Sequence, residues 1–260
     1  MDIVEALTLA LIQGLTEFLP ISSSGHLILT PAFFGWTDQG LSFDIAVHLG
    51  TLCAVIVYFR RDLLAMARGV FVADSADGRL ARQLLLASVP LGLAGVLTSD
   101  LVGTALREPL VIAAASAGFG VLLWVADRWW RGDLSERDIG LGQVMLIGLG
   151  QALALIPGTS RSGITMTVAL ALGLSREAAA RFSFLLAIPA IGMAAAWQAF
   201  QFARAPETLD WRALVPATIV AAAMAFITIA LFLRLIGRLG MGVFAAYRIL
   251  LAVVIVYVLV

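Results

Sequence analysis

The chain has 260 residues, of which 61% are hydrophobic and only 13% charged, with a mean hydropathy of +1.00. That is far more apolar than a soluble domain of this length and points to an integral membrane protein. Seventeen basic residues, all arginine, balance seventeen acidic ones, which leaves no overall field to hold nucleic acid, so selectivity for a charged ligand must come from local sites.

The chain opens on an apolar region, residues 3–34, interrupted by LPISSSGH. Its start, MDIVEALTLALIQ, has neither the basic n-region nor the small-residue cleavage pattern of a leader and reads as mature protein. Six uninterrupted runs follow at residues 43–59, 84–101, 110–126, 182–202, 214–233 and 243–260. As helices rising about 1.5 Å per residue they are long enough to cross about 30 Å of hydrocarbon, whereas β-barrel strands would alternate. The lone Cys53 lies in the first run and is expected to pack as a small hydrophobe. Between the third and fourth runs lies a second interrupted region, residues 141–174, broken by IPGTSRSGIT. Both breaks carry proline, glycine and hydroxyls, which stop helices, and the halves beside them are too short to span. Such a pattern fits a re-entrant hairpin whose broken backbone is buried in protein or faces a water-filled cavity. The expected fold is an all-α polytopic membrane protein, a single domain over 1–260, with six transmembrane helices and two re-entrant helix-break-helix hairpins.

Arginine placement orients it. Arg60, Arg61, Arg68, Arg79, Arg82, Arg128, Arg131, Arg137, Arg176, Arg181, Arg234 and Arg238 fall on one side, against Arg107, Arg204 and Arg212 on the other. Short loops rich in basic residues stay cytoplasmic. Both termini are therefore expected outside, the first hairpin entering from outside and the second from inside, with their tips meeting near the midplane. Trp129, Trp130 and Trp211 at span ends suit interfacial anchoring. At a fixed offset of 138, Gln13, Leu15, Ser22, Ser24 and Gly25 match Gln151, Leu153, Ser160, Ser162 and Gly163, and SFDIA at Ser42 matches SREAA at Ser175 at an offset of 133. The shared order and opposite entry sides predict an inverted-topology repeat with halves of about 1–126 and 127–260.

The two breaks carry the chemistry. Gln13 and Glu17 are four apart and share one helix face. Ser22, Ser23 and Ser24 cross the first break, and His26 lies three residues past Ser23, within reach if a helix starts there. At least one of the three serines is an N-cap. The second break supplies Ser160, Arg161, Ser162 and Thr165. This inventory is directed at an anion: arginine binds two phosphate oxygens at once, hydroxyls add donors, and half-helix N-termini offer free N–H groups. Glu17, which alone would repel phosphate, makes sense as a base or as a ligand for a divalent cation that bridges phosphate oxygens. Gln13 is a site-lining residue. Asp44 and His48, also four apart, read as a helix-start pair outside the site. Tyr247 and Arg248 in the last run fit snorkelling, an internal pair or substrate contact about equally.

QGLTEFLPISSSGHLIL and PGTSRSGIT together resemble the bacterial undecaprenyl-diphosphate phosphatases of the bacitracin-resistance type, through nearly the whole chain. That family's first signature, Glu or Gln, three residues, then Glu, falls on Gln13 and Glu17; the glutamine option leaves Glu17 the only acid at this tip. Its Pro-Gly-x-Ser-Arg-Ser-x-x-Thr signature lies on Pro157, Gly158, Ser160, Arg161, Ser162 and Thr165, and its histidine on His26. The resemblance implies removal of the terminal phosphate from a C55 polyprenyl diphosphate, giving the monophosphate carrier lipid of peptidoglycan synthesis. It also implies a divalent cation, Mg²⁺ or Ca²⁺, held with the help of Glu17, a bacterial inner-membrane location, and a pocket open to the periplasm. The expected mechanism has Ser23 attack the terminal phosphorus, His26 assist proton transfer, Glu17 act as base or orient the cation, and Arg161, Ser160, Ser162 and Thr165 bind phosphoryl charge, with Ser22 and Ser24 as further substrate contacts. In the competing mechanism Glu17 activates a water and Ser23 only binds.

Two readings from other classes stand beside this one. A polyprenyl-phosphate transporter or flippase would share the inverted repeat but has no use for a nucleophile. An intramembrane serine protease using Ser160 or Ser23 would give Arg161 no role. Membrane lipids and the lipid substrate are the expected partners, and the sequence carries no signal of oligomeric state.

Overall fold

The computed structural model of the chain describes residues 2–37, 39–72, 74–98, 108–204 and 210–260. Helix α1 (Ile3–Thr16) begins where Asp2 and Glu5 form a capping box. It ends ahead of Pro20, and α2 (Ser23–Phe34) stops at Gly35, whose φ of 69° suits a residue without a Cβ. Helix α3 (Gly40–Tyr58) turns by 75° at Phe59 into the short amphipathic α4 (Arg60–Gly69). The Ser75 hydroxyl accepts from Gly78 N to start α5 (Ala76–Leu97), and Pro109 opens α6 (Pro109–Trp129). Helix α7 (Leu141–Ala152) runs through a 3₁₀ turn (Leu153–Leu155) into the second break, after which come α8 (Arg161–Ala171), α9 (Arg176–Arg204), α10 (Trp211–Leu239) and α11 (Gly242–Leu259).

Among the described residues five helices, α5, α6, α9, α10 and α11, have the length and apolar character to cross a membrane, and α3 with α4 makes six at most. The helices outrun the apolar runs that announced them: α9 and α10 have 29 residues each, about 44 Å of helix. Their polar first and last turns reach beyond the hydrocarbon or are taken up by tilt. The end of the expected second span at residues 99–101, Arg107 and the side chain of Arg204 lie outside the described residues. The four short helices α1, α2, α7 and α8 form two helix-break-helix pairs. Cys53 is exposed on the outside of α3 rather than packed, a correction to the expected burial that follows from the apolar surroundings such a face meets.

Helix α9 is the centre, with 61% of its apolar window buried against 28–33% for the other four spans. Phe18, in the first break, packs edge-on against Phe184 of α9, which in turn meets Phe232 of α10. The pairing is symmetric under exchange of the two halves: α1 packs on α10 as α7 packs on α5, α2 on α11 as α8 on α6, and α3 on α10 as α9 on α5, while α6 meets α11 and α3 meets α9. Glycines permit the closest approaches. A Cβ on Gly14 would sit 2.6 Å from Ala221 O of α10, and one on Gly148 would sit 2.6 Å from Ala87 O of α5.

One end of the bundle is bound by ion pairs. Arg176 Nη2 meets Asp127 Oδ2 at 2.8 Å, Arg181 reaches Glu136 at 2.8 Å and Asp62 at 2.7 Å, and Arg137 meets Asp77 at 2.6 Å. Asp127 also accepts from Met241 N, so it ties α6 and α9 to the turn before α11.

Candidate active site

The two breaks meet. Ser162 Oγ donates to Leu19 O at 2.9 Å, Gly158 N to Ser24 Oγ at 3.5 Å, and Arg161 Nη2 to Glu17 Oε1 at 3.1 Å. Each break has the same local device. Ser22 (φ 73°) and Ser160 (φ 66°) are the only non-glycine residues with left-handed backbone among those described, and both occupy the N-cap position of the following helix, where the Ser160 hydroxyl accepts from Gly163 N and that of Ser22 makes no cap bond. Their hydroxyls lie 3.3 Å and 3.2 Å from those of Ser24 and Ser162. Backbone strain of this kind persists only where surrounding contacts over-determine it, and it gathers at functional sites.

Between the breaks lies a cavity of about 640 Å³. Glu17, Ser23, Ser24, Ser160 and Arg161 form its polar floor, Gln39, Asp44, His48 and Gln198 a polar wall, and α2, α5 and α9 supply an apolar flank that includes Ile28, Leu91 and Ile191. Glu17, at 7% exposure, is the hub. Its Oε2 accepts from Gln13 Nε2 at 3.0 Å and from Ser23 Oγ at 2.9 Å, with His48 Nε2 at 3.6 Å, while Oε1 accepts from Arg161. Arg161 donates from its other terminal nitrogen to Ser183 O at 3.0 Å, which fixes the guanidinium against α9 and leaves three of its five N–H donors without a partner among the described residues. Thr165 Oγ1 braces the same turn, 2.8 Å from Arg161 O and 2.7 Å from Ser183 Oγ.

Of the residues expected at the site, Glu17, Ser23, Ser24, Ser160 and Arg161 face the cavity, whereas Gln13, Ser22, His26, Ser162 and Thr165 stand behind it as supports. The expected pairing of Ser23 with His26 is corrected. His26 Nδ1 lies 2.7 Å from Ser22 O and Nε2 lies 2.6 Å from Tyr247 OH, so both ring nitrogens are engaged away from Ser23. A carbonyl only accepts, which puts the proton on Nδ1 and leaves Nε2 to accept from the tyrosine. The helix carries the ring one turn back over its own N-cap, a direction that residue spacing alone does not reveal.

Asp44 and His48 belong to the cavity wall, not outside it. The signal was present: two polar residues four apart in an apolar run, the pattern that singled out Gln13 and Glu17. Arg248 resolves as an internal group. It is fully buried, with Nε donating to Ser116 O at 2.9 Å and Nη2 to Gly158 O and Thr159 O at 2.9 and 2.8 Å, so it staples the second break to α6 and α11.

No group of three His, Cys, Asp or Glu side chains that could hold a metal ion occurs among the described residues. The cavity does offer hard oxygen donors in Glu17 and Asp44, with Gln39 Oε1 buried without a partner among the described residues. Such a set suits Mg²⁺ or Ca²⁺ shared with phosphate oxygens and water, rather than a cage made by protein alone.

Fold and cavity together define a polytopic membrane protein in which a carboxylate, a serine and an arginine are gathered at the junction of two helix breaks. The model of the bacitracin resistance protein BacA family matches residues 6–254, and the chain belongs to that family. It is 50% identical to the undecaprenyl-diphosphatase of Nitrosococcus oceani and 49% identical to that of Alcanivorax borkumensis, each over 99% of both chains. It is 47% identical to undecaprenyl-diphosphatase 2 of Stutzerimonas stutzeri, over 98% of this chain and 97% of the relative.

Proposed function

We propose that this chain hydrolyses undecaprenyl diphosphate to undecaprenyl phosphate and inorganic phosphate in the cavity between its two breaks. The observation that carries the reading is the contact of Ser23 with Glu17 beside Arg161: a nucleophile, its base and an anion clamp within one hydrogen-bonded cluster. The apolar flank of the cavity supports a lipid substrate, its headgroup at the floor and its prenyl tail along α2, α5 and α9.

Arg161 and Ser160 bind oxygens of the terminal phosphate. Ser23 Oγ forms a bond to that phosphorus as the bridging P–O bond breaks, the Ser23 proton passes to Glu17 Oε2, and the lipid monophosphate leaves. Water then attacks the phosphoserine, releasing inorganic phosphate and returning the proton to Ser23. Arg161 neutralises Glu17 in the resting site and turns its free donors to the charge developing on the phosphoryl oxygens. Glu17 and Asp44 would hold a divalent cation, which when bound offsets phosphate charge. His26, on the observed geometry, is a positioning residue that fixes the strained Ser22 carbonyl through Tyr247.

The arginine-rich, ion-paired end is assigned to the cytoplasm of a bacterial inner membrane, and the exchange-symmetric helix pairing supports an inverted repeat with both termini and the cavity opening outside. That symmetry also suits a polyprenyl-phosphate transporter. Inorganic phosphate release from undecaprenyl diphosphate by purified protein in detergent separates the two: the phosphatase liberates phosphate and the C55 monophosphate and loses activity in EDTA, whereas a transporter leaves the diphosphate intact.

A further inference from the structure

A second cavity, of about 580 Å³, opens at the arginine-rich end between the starts of α5 and α7 and shares no lining residue with the first. Arg79 and Arg82 of α5 and Arg137 from the segment before α7 face it, against a single acid, Asp138. Arg79 is exposed and forms no ion pair or side-chain hydrogen bond among the described residues. Arg82 is braced on Val70 O and Arg137 on Asp77, each at 2.6 Å. On the floor, Gln83, only 6% exposed, donates from Nε2 to Ile139 O at 2.8 Å, while its Oε1 is buried without a partner among the described residues. Leu86 and Leu141 supply an apolar border.

We infer that this cavity binds the headgroup of an anionic phospholipid such as phosphatidylglycerol. Three guanidinium groups face two carboxylates, Asp138 in the lining and Asp77 on Arg137, and the remaining positive charge at Arg79 favours a phosphate; pockets of this kind on the basic side of helical membrane proteins take anionic headgroups. A choline headgroup brings an ammonium to the arginines. Inorganic phosphate shares the anion but has no acyl chain to lie along Leu86 and Leu141, so the lipid is the assigned occupant. The inference is independent of the chemistry in the first cavity.

Native mass spectrometry of the full chain in detergent tests it, with dioctanoyl phosphatidylglycerol, dioctanoyl phosphatidylcholine and inorganic phosphate as probes. Wild type should hold phosphatidylglycerol roughly tenfold or more tightly than phosphatidylcholine. Arg79→Gln with Arg82→Gln should abolish that preference, and Arg128→Gln, at an arginine outside the pocket, should keep it. Arg79→Gln alone, at a side chain with no partner among the described residues, is the variant that spares the fold and should weaken phosphatidylglycerol about fivefold while phosphate release from the diphosphate stays at the wild-type rate. Equal affinity for the two lipids, or an unchanged preference in Arg79→Gln, overturns the site. Displacement of phosphatidylglycerol by millimolar inorganic phosphate overturns the lipid assignment in favour of a free-anion site.

Discussion

In the proposed mechanism Glu17 must do two things that conflict in an apolar setting, stay ionised and accept a proton, and its partners reconcile them. Arg161 balances its charge, while Gln13 and Ser23 saturate one oxygen. Replacing Glu17 with Gln keeps the shape and removes the base, so kcat should fall by about a thousandfold or more with little change in KM. Ser23→Ala should be equally inactive, and wild type quenched in acid during a single turnover should carry phosphate on Ser23; an active Ser23→Ala would instead assign the attack to water. His26→Ala and Tyr247→Phe should each cost roughly tenfold, because they loosen Ser22 without removing a reacting group. At this scale the sequence was informative about residue types and less so about partners. Gln13, Glu17 and the two serine runs stood out as polar groups in oil, but the partner of His26 arrives on α11, 221 residues away, and no local spacing encodes that contact.

The breaks were the most legible elements, because proline, glycine and hydroxyl clusters stop helices wherever they occur. The matched offset marked Ser22 and Ser160 as equivalents, and both adopt the left-handed backbone that few non-glycine residues tolerate. What holds the second break in place was hidden, since it depends on a side chain from the last helix. Removing the Arg248 guanidinium by substitution with Met orphans the carbonyls of Gly158 and Thr159, at about 1–3 kcal/mol for each buried group. The variant should melt earlier than wild type and release phosphate more slowly, with Arg248→Lys intermediate in both. Gly148→Leu should likewise lower the melting temperature by forcing α7 away from α5.

For the whole molecule, composition and arginine placement carried most of the architecture: an all-helical chain with twelve of its seventeen arginines in segments assigned to one side. The lengths of α9 and α10 were not legible from the apolar runs, because their terminal turns are polar and are stabilised by tertiary contacts such as those of Arg176, Arg181 and Asp127. The proposed orientation rests on the same bias, so an alkaline phosphatase domain fused after Val260 should be active in a bacterial host and a cytoplasm-dependent reporter at the same point should be silent. The central claim is that two distant breaks build one catalytic cavity. Its most direct test is phosphate release from undecaprenyl diphosphate by matched, folded preparations of wild type, Glu17→Gln from the first break and Arg161→Ala from the second. Rapid release by wild type and loss of about a thousandfold or more in both variants is the predicted result; release that survives in either variant would contradict a site made from both breaks.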